Sequence, residues 1–186
     1  MVIETEACLE CNASKASESC KVKCMDTKSH NGPTWDYMSE LQMEFASLST
    51  LTDFNRVGAG VKPLYASSEK IICEMTVEPQ HLNAKGTLHG GQTASLTDIV
   101  TARALGLTIR DRAMASIELS VSYFLPVKAG EVIEITAYVL KLGRNVAFTE
   151  AEFRRKSDGK LAAKGRHTVA ILPKQPVADG QKVAQY

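Results

Sequence analysis

Between Asn83 and Asp98 the chain gathers the side-chain types that acyl chemistry needs. Within these sixteen residues stand an amide (Asn83), an imidazole (His89), two consecutive glycines (Gly90 and Gly91) and a carboxylate (Asp98). The run from Gly90 to Leu107 reads as a helix, so Gly90 and Gly91 open it. Backbone N–H groups at a helix start have no intrahelical partner, and with the helix dipole they favour an oxygen that gains negative charge. Glycine lets a carbonyl approach that backbone closely. These are the requirements of an oxyanion hole for acyl transfer. Asn83 lies upstream in a loop with Gly86, and its amide can donate to the same oxygen. Asp98 has Ala94, Ser95, Thr101 and Ala102 as its helical neighbours, so no helical ion pair accounts for it. A lone carboxylate in an apolar helix is costly, and such groups concentrate at functional sites.

Spacing adds a constraint. Gly90 and Asp98 are separated by about 12 Å along a helix axis, at 1.5 Å per residue. One carbonyl cannot touch the Gly90 amide and the Asp98 carboxylate of the same helix. If both serve one reaction, Asp98 is supplied by a second subunit, and an isologous dimer is expected. Plainer readings exist for each residue. A Gly-Gly pair before a helix is common, His89 can be a structural histidine, and Asp98 can meet water or an interface. Their coincidence in one window favours a site. His81 is expected in a loop, Cys73 in the core, and His167, on the last strand, in packing or at a substrate rim.

The elements that must position these residues follow from periodicity. Asp36 or Thr34 can cap a helix carrying Met38, Leu41, Phe45 and Leu48 on one stripe. Val57–Ala66 reads as a weak strand interrupted by glycines and Pro63, and Lys70–Val77 as a better one. After the long helix, Ile117, Leu119, Val121 and Tyr123 alternate with Ser116, Glu118, Ser120 and Ser122. That pattern gives an apolar face and a polar face, with Ser116 on the polar one. Glu131–Leu140, Val146–Arg154 and Leu161–Ile171 complete the strands, with turns at Gly143-Arg144-Asn145 and Ser157-Asp158-Gly159. The last four strands are expected to form an antiparallel meander. A nearly uncharged helix must be covered on most sides. The expected fold is therefore α+β: a curved antiparallel sheet of about six strands around one long helix, plus an N-terminal helix. The domain is expected over residues 36–173, with an extension over 1–35 and a loose tail over 174–186.

Composition excludes several classes. A net charge of +1 argues against bulk attraction to nucleic acid or anionic membrane. No apolar run is long enough to span a bilayer. The first ten residues hold three Glu, and the first Arg is Arg56, unlike a secretory or mitochondrial leader, so an intracellular protein is expected. Cys8, Cys11, Cys20 and Cys24 could hold zinc, but residues 1–34 lack any aromatic residue and read better as a flexible extension; no metal is expected. No G-x-S-x-G elbow, HExxH, Walker A or dinucleotide fingerprint is present.

Asn83 to Gly91, NAKGTLHGG, followed by Asp98, resembles the hotdog-fold acyl-CoA thioesterases of the PaaI-like branch. The similarity runs from about Leu41 to Leu172 and includes KIICEMTVE, SYFLPVKAGE, LKLGRNVAFTEAEF and SDGKLAAKGRHT. The resemblance implies hydrolysis of medium- to long-chain fatty acyl-CoA to free acid and CoA, without a cofactor. By motif position, Asn83 and Gly90 would bind the thioester carbonyl and His89 would position the thioester. The partner subunit's Asp98 would be base or nucleophile, and Ser116 would orient the water or the carboxylate. Tyr123, Pro126, Lys128, Lys141, Gly143, Arg144 and Asn145 fall in the family's substrate- and CoA-contact segments. The resemblance also implies dimers that pair into tetramers, a lipid-binding protein partner, and a cytoplasmic or mitochondrial location. Gln92 and Glu118 depart from the usual residues of the family. The competing expectations are a non-catalytic acyl-CoA binder and a hotdog dehydratase.

Overall fold

The computed structural model describes residues 35–174. Residues 1–34, with Cys8, Cys11, Cys20 and Cys24, and residues 175–186 lie outside the described residues, and with them the expected extension, its zinc reading and most of the tail.

Asp36 caps the first helix, α1 (Tyr37–Ser47), by accepting from the Ser39 amide. Leu41, Phe45 and Leu48 of the expected stripe are buried. Each contributes roughly 1.5–3 kcal/mol by leaving water. A strand was expected from Val57, but Phe54–Gly58 forms a 3₁₀ helix and the strand β1 begins only at Lys62 (Lys62–Ala66). Asp53 decides this locally, because its carboxylate accepts from the Asn55 amide and caps the turn. The other strands are β2 (Lys70–Thr76), β3 (Met114–Tyr123), β4 (Val132–Leu142), β5 (Val146–Arg155) and β6 (Leu161–Ile171). The long helix is α2 (Gly90–Gly106). Among the described residues no helix is long and apolar enough to cross a membrane.

The six strands form one antiparallel sheet in the order β1-β2-β4-β5-β6-β3, with α2 on its inner face. This is the hotdog arrangement. The expected four-strand meander holds only for β4, β5 and β6. β3 pairs with β6 at the far edge, because residues 124–131 are too long a connection for a tight hairpin to β4. α2 positions β3 instead. The chain turns back after the helix, and β3 runs antiparallel beside it, with Tyr123 at Gly90 and Ser116 at Asp98.

Helix and sheet match in period along β6. Thr97, Thr101 and Leu105 lie over Gly165, His167 and Val169. Four helical residues rise about 6.0 Å and two strand residues about 6.6 Å, so the two rows stay in step. Buried Thr97 and Thr101 satisfy their hydroxyls by donating to the carbonyls of Thr93 and Thr97, at 2.9 Å and 2.7 Å. Gly165 has no Cβ because Thr97 occupies its place: a Cβ there would lie 2.5 Å from Thr97 Oγ1.

Candidate active site

The segment before α2 folds around Asn83. Its Oδ1 accepts from the amides of Lys85 and Thr87, at 2.8 Å and 3.3 Å, and its Nδ2 donates to Thr87 Oγ1 at 2.9 Å. Gly86 makes this loop possible by adopting φ 72°. An amide nitrogen carries two protons, so one remains for a ligand after Thr87 is served. His89 is the N-cap residue of α2, and its Nδ1 accepts from the Gly91 amide at 2.8 Å. That bond puts the proton of a neutral ring on Nε2 and uses up the Gly91 N–H. Among the described residues the Gly90 N–H has no backbone partner. A cavity of about 330 Å³ opens here, with Asn83, Gly90, Thr93, Tyr123 and Pro126 on its wall. Tyr123 donates to the Gly90 carbonyl at 2.8 Å and covers that glycine so closely that a Cβ would lie 3.3 Å from its ring.

Asp98 lies in different surroundings. Ser116 Oγ donates to Asp98 Oδ1 at 2.9 Å. His167 Nε2 lies 2.9 Å from Ser116 Oγ and 3.2 Å from Asp98 Oδ1, and its Nδ1 lies 2.7 Å from Thr101 Oγ1. The imidazole is almost wholly buried, whereas the Asp98 side chain is 45% exposed. Burial pushes the His167 pKa below its ordinary value, and the neighbouring Asp98 opposes that shift. A cavity of about 200 Å³ borders Asp98, Ser116, His167 and Arg103, and a more open one of about 330 Å³ lies toward Phe54 and Leu119.

Ser116 reaches Asp98 by a route that simple alternation misses. The ladder with β6 shifts between Ser116 and Glu118, leaving Ile117 as a bulge. Ser116 pairs with Val169 and Leu119 with His167, so both face α2. The expectation that Ser116 shares a face with Glu118 and opposes Leu119 is therefore corrected. His167 is buried and borders the Asp98 cavity, within the expectation of packing or a rim contact, and it also joins Thr101, Ser116 and Asp98. A sequence signal existed: Ala163, Gly165, His167, Val169 and Ile171 share one face by period two, which places an imidazole on an otherwise apolar surface.

The other candidates separate cleanly. His81 is buried and structural: its Nδ1 accepts from the Glu78 amide and its carbonyl from the His89 amide. Burial pushes the Cys73 thiol up to about 12, which leaves it unreactive. Among the described residues no three His, Cys, Asp or Glu side chains are grouped to hold a metal ion. Lys128, Lys141, Arg144 and Asn145 are exposed, and Gly143 is half-buried. Lys128 sits near the start of β4, bridged to Thr87 and so beside the Asn83 loop. Gly143, Arg144 and Asn145 lie beyond its other end, where the Asn145 carbonyl accepts from Ile171 and the Arg144 carbonyl from Arg112. The eleven residues of β4 span about 35 Å. One chain does not bring the two groups together, just as its Gly90 cavity shares no wall residue with its Asp98 cavities.

Comparison with known proteins gives this geometry its context. Residues 85–162 match the model of the thioesterase superfamily. A putative esterase of Caenorhabditis elegans is 59% identical over 141 residues, covering 76% of this chain and 83% of that protein. Acyl-coenzyme A thioesterase 13 of Mus musculus is 47% identical over 115 residues, covering 62% of this chain and 82% of that protein. The crystal structure of zebra fish thioesterase superfamily member 2 superposes with a TM-score of 0.70 at 40% identity, covering 72% of this chain and 97% of that one. The chain is thus similar in sequence and in fold to these proteins over most of their length, and it belongs to the thioesterase superfamily.

Proposed function

We propose that this protein hydrolyses fatty acyl-CoA thioesters of medium to long chain, in an active site that two subunits build together. The observation that carries this reading is the partition of the site. The carbonyl-binding groups Asn83 and Gly90 open on one cavity, and the carboxylate Asp98 opens on others. β3 supplies the means of joining them. It is a ten-residue edge strand whose Ile117 and Tyr123 are exposed, and a bare edge of that length invites pairing with another strand. Pairing β3 with its copy across a twofold axis would set the helix start of one subunit opposite the middle of the other's helix. The same operation would bring Lys128 of one subunit toward the hairpin of Arg144 and Asn145 on the other, where CoA phosphates would find cations.

In the reaction, the thioester oxygen accepts from the Gly90 amide and Asn83 Nδ2, next to His89 at the N-cap of α2. Water beside Asp98 gives a proton to the carboxylate and attacks the carbonyl carbon. The negative charge of the tetrahedral intermediate rests on the helix start, where one preorganised donor is worth about 3–4 kcal/mol. The C–S bond then breaks, and the CoA thiolate takes the proton back from Asp98. Ser116 and His167 hold Asp98 Oδ1, leaving Oδ2 for the water. A carboxylate beside Nε2 favours the ring proton on that nitrogen, with the Thr101 hydroxyl beside Nδ1. Every group needed comes from the chain and the solvent.

The deciding experiment is steady-state hydrolysis of acyl-CoAs of increasing chain length by wild type and Asp98→Asn. Turnover by wild type and its loss in the variant is the expected result. A wild type that binds acyl-CoA without hydrolysing any would instead be a non-catalytic binder.

A further inference from the structure

One buried cation beside Asp98 has no task in the reaction just described. Arg103 lies on α2 about 7.5 Å beyond Asp98 along the helix axis. Its side chain is 12% exposed, and its Nε is buried without a hydrogen-bond partner. The nearest counter-charge, Glu44 of α1, stands 3.9 Å away, outside hydrogen-bonding range. Burial pushes the Glu44 carboxyl above its ordinary pKa, and the charge of Arg103 opposes that shift. The Phe45 ring covers one side, 5.2 Å from the guanidinium carbon. The remaining side borders the cavity of about 200 Å³ that also borders Asp98, Ser116 and His167.

That cavity has a mixed wall. Ile99, Ala102, Met114 and Val169 are apolar and suit methylenes, while Arg103 and Asn55 are polar. A purely apolar acyl tail that filled it would complete the burial of a guanidinium and leave its donors unmatched, which is costly. A planar carboxylate would satisfy the fork of N–H donors. The volume is below the usual range of small-molecule sites, so the fitting group is short.

We propose that Arg103 is a specificity-determining residue, and that this cavity accepts short acyl groups whose far end carries a carboxylate, as in the CoA thioesters of dicarboxylic acids. The proposal rests on the thioesterase reading above and adds a shorter, carboxylate-ended class to its substrates. Asp98 repels a second carboxylate at close range, so the acyl group must place its free acid near Arg103 and its thioester carbonyl near Asp98. With Arg103 about 7.5 Å beyond Asp98 along the helix axis, the acyl group must span on the order of that distance between its thioester carbonyl and its free acid.

The test compares matched pairs, hexanoyl-CoA with adipoyl-CoA and octanoyl-CoA with suberoyl-CoA, using the full chain. Wild type is expected to hydrolyse the carboxylate-ended member of at least one pair with the higher kcat/KM. In Arg103→Met the ratio of carboxylate-ended to methyl-ended kcat/KM should fall at least tenfold, with Arg103→Lys between the two. Glu44→Gln removes the competing carboxylate and should raise the ratio. A packing role for Arg103 would lower both substrates together in Arg103→Met and Glu44→Gln alike, which would overturn the proposal. So would a wild type that hydrolyses the methyl-ended series and no carboxylate-ended one. If wild type hydrolyses neither these nor any longer acyl-CoA, the thioesterase reading fails, and binding of the corresponding non-hydrolysable thioether analogues decides separately. Tighter binding of the carboxylate-ended analogue, lost in Arg103→Met, would uphold the cavity, and equal binding would end it.

Discussion

His167 Nε2 stands 3.2 Å from Asp98 Oδ1, across the gap between the last strand and the central helix, with Ser116 Oγ within hydrogen-bonding distance of both. A half-exposed carboxylate is thereby held by a buried imidazole that is itself anchored on Thr101. His167 acts through Asp98 and is a positioning residue. A hydrogen bond to a charged group is worth about 1.5–3 kcal/mol. His167→Gln is therefore expected to lower kcat roughly 10- to 100-fold with little change in KM, since 1.36 kcal/mol corresponds to tenfold. Stopped-assay kinetics on one acyl-CoA measure the split. A rise in KM at constant kcat would show that the ring contacts substrate instead.

Asp98→Asn and Asn83→Ala remove different halves of the proposed site. The first should lower kcat by about 10²–10⁴, the range for a general base. The second should cost about 10²–10³, as for one oxyanion donor. Mixed and allowed to exchange subunits, the two inactive proteins should recover activity, because one of the two sites in each hybrid dimer carries no mutation. Exchange confirmed by mass spectrometry without any recovery would mean that the site is not shared.

The β3 edge can be tested directly. Ile117 is 58% exposed on the bulge, so a charge there is tolerated by the single chain. Ile117→Glu should leave the circular dichroism spectrum unchanged, shift the sedimentation coefficient toward the monomer and reduce activity in parallel. An assembly unchanged in size would place the subunit contact elsewhere.

Stability should depend on pH through His167. Burial holds its folded pKa below the ordinary value near 6.5. As pH falls through about 6.5, the unfolded chain binds a proton that the folded chain still refuses. Stability therefore declines below that pH, and the decline stops once the folded ring also protonates. Urea unfolding at intervals between pH 7.5 and 5 should show this limb in wild type and a shallower one in His167→Gln.

Gly165→Ala tests the fit of helix to sheet. The new methyl group would meet the Thr97 side chain, and overpacking of this kind costs about 1–3 kcal/mol. For a chain of this size that lowers Tm by roughly 2–4 °C per kcal/mol. Gly106→Ala is the control, because a Cβ there meets nothing within 4 Å. Equal melting of the two variants would show that the Thr97 approach is not tight.

The local elements were legible because each is set by neighbours a few residues away. The Asp36 cap, the alternation of Leu161–Ile171 and the Gly90–Gly91 helix start all appear where residue order places them. The spacing of Gly90 and Asp98 carried a tertiary consequence, because a helix has a fixed rise and no fold can shorten it. The order of strands was not legible in the same way. β3 pairs with β6 because α2 directs it there, and nothing in the residues of β3 names that partner. Only the tertiary structure joined Asp98, Ser116 and His167. A bulge at Ile117 turns Ser116 inward, and the matched rise of helix and strand sets His167 over Thr101, and both depend on contacts between segments far apart in the chain.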